Sequence, residues 1–385
     1  MKKILLLAPY CSLPGEQKFN RFLYLAEMLS IDYDITLVTS SFRHYDKQQR
    51  DAEFSEQDFK IVKIYEPGYS DNVSIKRVFS HKVFLKNFIE WFNGNSAEFD
   101  LVYSAYPLIG TNLFLAKNKA KLNYKLIIDI QDVWPEAIAS AFPFIASIPN
   151  VFLPFTKKAN YCYKNADGLV AVSKTYLDRA LLTSSHQENE VVYIGSDSIK
   201  INEAPKKEFK GNNVKLIYIG SLGYSYDVET VLCAVNNLVK QGYSIEFHIV
   251  GGGKKEVRLK ALAGDNIHFY GFVDFNEMVS LIKGCDLGVN SLISSAPQSI
   301  TNKLSDYFSI GIPILNSQKL PELSTLLEQH PHVDYEAGDV NSCEQAIVDF
   351  IKNKELHYFS PNKLFYRKNS YPKIIEMVES LCLKD

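Results

Sequence analysis

The residues best suited to chemistry in this chain are the pair Asn302-Lys303 and, one helical turn later, Asp306. They lie in the stretch Ala296 to Ser317, which reads as a polar loop, a short helix opened by Asn302 and Lys303, and a buried strand. The free N–H groups and positive dipole of a first helical turn attract an anion, and a lysine adds a full charge. An aspartate accepts hydrogen bonds from sugar hydroxyls. The combination suits a phosphorylated, hydroxyl-bearing ligand such as a nucleotide sugar. A solvated surface lysine and an ordinary first-turn acid are the plainer alternatives.

Such residues need a scaffold, and 385 residues exceed one comfortable core and fit two domains. Hydrophobic residues at 46% and charged residues at 22% describe a globular protein. A net charge of −2 gives no reason to invoke nucleic acid. The six cysteines form no Cys-x-x-Cys pair, which points to free thiols in a reducing cytosol and not to a disulfide framework or zinc site. The opening MKKILLLAPYCSLPG has the basic start of a signal peptide, but its apolar run is short and leads into a helical pattern, so it reads as a first strand.

Short apolar runs recur at Ile4 to Pro9, Ile35 to Thr39, Leu101 to Ala105, Leu126 to Ile130, Gly168 to Val172 and Val191 to Ile194. The segments between them are long enough for helices, a pattern that predicts a doubly wound parallel sheet with ligands at the strand C-termini. The polar stretch 197–213 reads as a linker between a first domain, 1–196, and a second, 214–363. Strands restart at Val214 to Ile219, Ile245 to Val250, Ile267 to Phe272, Leu287 to Leu292 and Ile312 to Leu315. Two glycine turns follow strands, at Gly220 to Gly223 and Gly251 to Gly253, where backbone could approach a diphosphate; plain turns are the alternative. Neither is the G-x-G-x-x-G fingerprint, which argues against a dehydrogenase.

Several segments now fall into an ordered set. Asp132-Val-Trp-Pro-Glu136, Ala166-Asp-Gly-Leu-Val-Ala-Val-Ser173, Tyr218 to Gly223, Ile249 to Gly253 and Asn302 to Pro313 follow one another along most of the chain. In that order the chain resembles the GT-B glycosyltransferases of family 4, in the bacterial branch that builds capsule, O-antigen and exopolysaccharide repeat units. The resemblance implies two doubly wound Rossmann-like α/β domains facing a central cleft. It also implies retaining transfer of a sugar from a nucleotide-diphosphate donor, with no cofactor and no metal. The implied donor residues are Gly220, Ser221, Leu222, Gly223, Tyr226, Gly251, Gly252, Gly253, Gln298, Thr301, Asn302, Lys303 and Asp306. Gly15, Arg21, Asp132 and Trp134 are placed at the cleft or acceptor, with Asp132, Lys303 and Asp306 as the catalytic group. Asp132 follows the strand Leu126 to Ile130 and could instead cap the next helix, and Arg21 could form a surface pair. The segment 364–385 is expected to be a helix crossing back to the first domain.

This chain also departs from the family pattern. The family's paired glutamates, separated by seven residues, fall on Gln298 and Asp306, and the Arg and Lys that often follow the first glycine turn are replaced by Ser221-Leu-Gly-Tyr-Ser-Tyr-Asp227. Weight then falls on Lys303, backbone amides and Lys254 for neutralising the diphosphate. A binding subunit of low activity and a GT-B epimerase stand as the other readings. Two stretches suggest a lipid-linked saccharide acceptor and contact with the inner face of an anionic membrane. Ile75 to Phe92 mixes basic and aromatic residues, with a solvated helix of the first domain as the alternative; Ala137 to Thr156 is uncharged and broken by prolines.

Overall fold

A computed structural model describes residues 1–16, 21–50, 57–71, 74–136, 153–184, 188–294 and 299–383. The chain forms two compact units, Met1–Val192 with Tyr371–Asp385, and Tyr193–Ser370.

In the first unit the strands are β1 (Lys3–Leu7), β2 (Asp34–Ser40), β3 (Phe42–Arg43), β4 (Gln48–Gln49), β5 (Lys60–Ile64), β6 (Leu101–Tyr106), β7 (Lys125–Ile130), β8 (Gly168–Ala171) and β9 (Glu188–Val191). Its described helices before the unit boundary are α1 (Arg21–Leu29), α2 (Ile75–Asn95), α3 (Ile109–Leu122), α4 (Thr156–Asn165) and α5 (Lys174–Leu181). The main sheet runs β5-β2-β1-β6-β7-β8-β9 and every pairing is parallel. Helices cover both faces of such a sheet, so its central strands are buried on both sides. That is why LLL in β1 and LII in β7 are unbroken apolar runs, not alternating ones. The strand order reverses between β1 and β6, which makes their C-terminal ends the natural crevice.

An ion pair sits inside this core. Asp129 of β7 is fully buried, taking 2.7 Å and 2.6 Å hydrogen bonds from Arg21 Nε and the Tyr103 hydroxyl. Arg21 also donates to the Val192 carbonyl and lies 5.0 Å from the Tyr371 ring. Arg21 was expected at a ligand crevice; it instead locks α1 to the sheet. A helix whose inward face is Phe22, Leu25, Ala26 and Leu29 carries residue 21 inward too. Removing one partner of such a pair costs about 3–5 kcal/mol.

The second unit holds α6 (Ser198–Glu203), β10 (Val214–Ile219), α7 (Val228–Lys240), β11 (Ile245–Val250), α8 (Glu256–Leu262), β12 (Ile267–Gly271), α9 (Phe275–Gly284) and β13 (Leu287–Asn290). It continues with α10 (Asn302–Ile310), β14 (Ile314–Asn316), α11 (Pro321–Leu327), β15 (His332–Asp334), α12 (Val340–Lys352) and α13 (Arg367–Ser370). Its parallel sheet runs β12-β11-β10-β13-β14-β15, reversing between β10 and β13.

The boundaries differ from those expected of the sequence. The stretch 197–213 is part of the second unit: Asp197 caps α6, Ile201 and Ala204 are buried, and Lys207 N bonds the Ser280 carbonyl at 3.0 Å. Its polar composition hid a docked segment. Residues 364–370 also belong here, because Phe365 stacks on Phe308 at 4.7 Å and on Tyr193 at 4.6 Å. Only the last helix, α14 (Pro372–Leu383), lies in the first unit, where Met377 and Leu381 crowd the Cβ-free face of Gly168.

Candidate functional site

At the β10/β13 reversal, three segments of the second unit converge. β10 ends in the turn Gly220 to Gly223, with Gly220 at φ +127°, and Tyr226 forms an antiparallel bridge to Leu292 beyond β13. Helix α10 begins at the same edge. Its apolar residues Leu304, Tyr307, Phe308 and Ile310 are buried, and Gly311 ends it in the left-handed conformation. Thr301 precedes it in extended conformation, and its hydroxyl makes no capping bond. Among the described residues no side-chain cap takes up the first-turn amides, the groups any helix N-terminus leaves without an intrahelical partner.

The side chain of Lys303 is buried in this corner. Its ammonium lies 4.2 Å from the Tyr218 ring centre and 4.1 Å from that of Tyr226, with no hydrogen-bond partner among the described residues. The Ser299 and Thr301 hydroxyls are likewise buried and unpaired among the described residues. A desolvated cation–π contact contributes about 2 kcal/mol, whereas taking an ammonium out of water costs several. Two rings do not balance that cost, so burial holds Lys303 well below the usual lysine range. An arriving anion would supply the missing partner. This corner brings together Gly220, Ser221, Leu222, Gly223, Tyr226, Thr301 and Lys303.

The second glycine turn has a different job. A Cβ at Gly251 would stand 2.0 Å from the Gly220 carbonyl oxygen, and one at Gly253 would stand 2.8 Å from Leu222 backbone. Leu222 N bonds the Gly252 carbonyl at 3.0 Å. Gly251, Gly252 and Gly253 thus support the first turn by backbone-to-backbone packing. Asn302 is exposed, and Gln298 lies outside the described residues.

Asp306 faces Ser196, whose hydroxyl donates to it. Burial raises its carboxyl to about 6, opposed by that hydrogen bond and by Arg367. An acid with a raised folded pKa favours the folded state below its ordinary value of 3.8, and that contribution is lost as pH rises through about 6.

The first unit has its own cavity, about 250 Å³, at the C-terminal ends of β1, β6 and β7. Tyr10, His44, Arg77, Gln131, Asp132 and Trp134 line it. Asp132 accepts from Val133 N at 2.9 Å and from Trp134 Nε1 at 3.0 Å, which fixes its orientation, and burial raises its pKa. Arg77 lies 5.2 Å from the Trp134 ring and 5.5 Å from Tyr69. Burial, with Lys47 and Arg77 nearby, lowers His44 to about 4, so it is neutral near pH 7. Arg21 and Gly15 are not in this lining; Gly15 sits in a turn at φ +82° with open space around it.

Sequence reading missed Tyr10, His44, Arg77 and Gln131. Tyr10 and Gln131 follow β1 and β7, so strand-end position was the available signal. Arg77 was grouped with a surface stretch, yet α2 points Phe84, Phe88 and Phe92 into the core and Arg77 into the cavity. The stretch Ala137 to Thr156 lies outside the described residues up to 152.

One expected outcome follows from Asp306. Asp306→Asn should melt above wild type at pH 7, and the difference should vanish as pH falls toward 4; thermal melts across that range check it.

Residues 213–353 match the family described as glycosyl transferases, group 1. An uncharacterised glycosyltransferase of Methanocaldococcus jannaschii is 24% identical over 377 residues, covering 90% of each chain. Sucrose-phosphate synthase from Thermosynechococcus elongatus has a similar structure, with a TM-score of 0.72 at 12% identity over 99% of both chains. The lipopolysaccharide outer core galactosyltransferase WaaB gives 0.61 at 15% identity, over 98% of this chain and 99% of that one. The structural likenesses show the GT-B fold. The match over residues 213–353 and the Methanocaldococcus relative support reading the chain as a group 1 glycosyltransferase.

Proposed function

We propose that the chain is a retaining glycosyltransferase that moves a sugar from a nucleotide-diphosphate donor to a saccharide acceptor. The observation that carries this reading is Lys303: a buried cation without an anionic partner among the described residues, at a helix N-terminus beside a glycine turn. In the transfer, the bond between the anomeric carbon and the diphosphate oxygen breaks. The acceptor oxygen takes its place with the same configuration, and the acceptor's proton leaves with the diphosphate. Negative charge grows on the departing oxygen, and a lysine with first-turn amides stabilises it where it develops, with no metal required.

In this reading Asp306 receives ribose hydroxyls and the backbone of Gly220 to Gly223 lies against the phosphates. The cavity of the first unit takes the acceptor, with Asp132 as its oriented carboxylate. This carboxylate orients the acceptor by accepting a hydrogen bond from the reacting hydroxyl, whose proton leaves with the diphosphate.

A lipid-linked acceptor in surface polysaccharide synthesis fits the outer face of α2. Ile75 is 89% exposed and Phe79 61%, beside the exposed Lys76, Lys82 and Lys86. Basic and apolar residues on one helix face suit peripheral contact with anionic lipid on the cytoplasmic side. No described helix is long and apolar enough to cross a membrane.

Three measurements test these statements. A panel of nucleotide sugars should contain one that raises Tm, by mass action, and whose nucleoside diphosphate is released when acceptor is added. Lys303→Ala should lower that turnover by about 100-fold or more, the scale of losing one transition-state charge contact; unchanged turnover would exclude the lysine as the diphosphate clamp. Flotation should recover the protein with phosphatidylglycerol vesicles and recover less of Phe79→Ser. No recovery of the wild type would exclude the membrane contact.

A further inference from the structure

Holding a lysine at a fixed point normally falls to a carboxylate, which cancels the charge it positions. Lys303 has no carboxylate in ion-pair contact among the described residues, and Asp306, one turn along α10, is engaged with Ser196. Two aromatic faces hold the ammonium instead, at 4.2 Å and 4.1 Å. An aromatic quadrupole attracts a cation without cancelling its charge, so a lysine that burial biases toward its neutral form can still present a full charge when an anion arrives.

The rings are themselves fixed. Tyr218 is fully buried in β10, and its hydroxyl donates to the Ser221 carbonyl at 2.6 Å, tying the ring to the glycine turn. Tyr226 is half-buried, held by its bridge to Leu292 and by Tyr226 N bonding the Gly223 carbonyl at 3.3 Å. A lysine has four side-chain torsions and a large rotamer entropy to lose. Clamping it between two anchored rings removes that loss from the binding event, which is preorganisation.

We infer that Tyr226, with Tyr218, is a positioning residue that clamps the Lys303 ammonium, uncompensated, where a diphosphate binds. Tyr226 then acts through Lys303 and not by touching the donor. The inference rests on the donor-site reading given above and adds to it the means by which this chain presents its cation.

Calorimetric titration of the full chain with inorganic pyrophosphate tests it. Tyr226→Phe keeps the ring and should bind within about two-fold of wild type, whereas Tyr226→Leu should bind at least about ten-fold more weakly, approaching Lys303→Met. Tyr226→Met, of similar bulk and without a ring, should match the leucine variant, so a folding failure in one leaves the other; melting curves identify which variants are folded. If both ring-less variants bind like wild type while Lys303→Met loses binding, the clamp is wrong and the donor site stands. If wild type and Lys303→Met bind alike, or wild type does not bind, the donor-site reading fails and the clamp with it.

Discussion

A parallel sheet covered on both faces leaves its strand ends as the place for chemistry, because every other surface of the strands is committed to apolar packing. Both units obey this constraint in the same way. Each reverses strand order once, between β1 and β6 in the first and between β10 and β13 in the second, and each gathers polar side chains at that reversal. Asp132 and Arg77 stand at one, and Lys303 with its two tyrosines at the other. Asp129, buried within β7, is tolerated because Arg21 and Tyr103 both bond its Oδ2, and it serves the fold.

The corner around Lys303 is costly to maintain. It leaves a buried ammonium and two hydroxyls without partners among the described residues, and it raises the carboxyl of Asp306. Each unsatisfied buried group costs about 1–3 kcal/mol, more for a charge. A chain selected for stability alone would replace them, whereas a site built for an anionic, hydroxyl-rich ligand requires them. The glycine contacts set a related limit: Gly251 can carry no side chain because the Gly220 carbonyl oxygen occupies that space, so the two turns form a single rigid ledge.

Much of this was legible in the sequence, for physical reasons. Strands buried on both faces print as apolar runs, so most of the central ones were read correctly. Edge strands such as β5, KIVKI, and the three-residue β15 carry too little pattern to see. The last strand of the first sheet was expected at 191–194 and lies at Glu188–Val191, residues 193 and 194 belonging to the second unit. Lys303 was visible as a helix-start lysine, but Tyr218 was read only as part of a strand and Tyr226 as a ligand contact, since a cation–π clamp leaves no spacing signature. Arg21 misled because its partner is 108 residues away. A hint was available all the same: an aspartate inside LIID of β7 must have a buried cation somewhere.

A nucleoside diphosphate bound to the second unit at the β10/β13 reversal would cover the backbone on either side of Lys303 and Tyr226. Hydrogen exchange of the full chain, with and without the nucleoside diphosphate that most raises its Tm, tests this placement directly. The account predicts protection concentrated at residues 219–227 and 299–307. Protection confined to the first unit, or none at either of those segments, would contradict it.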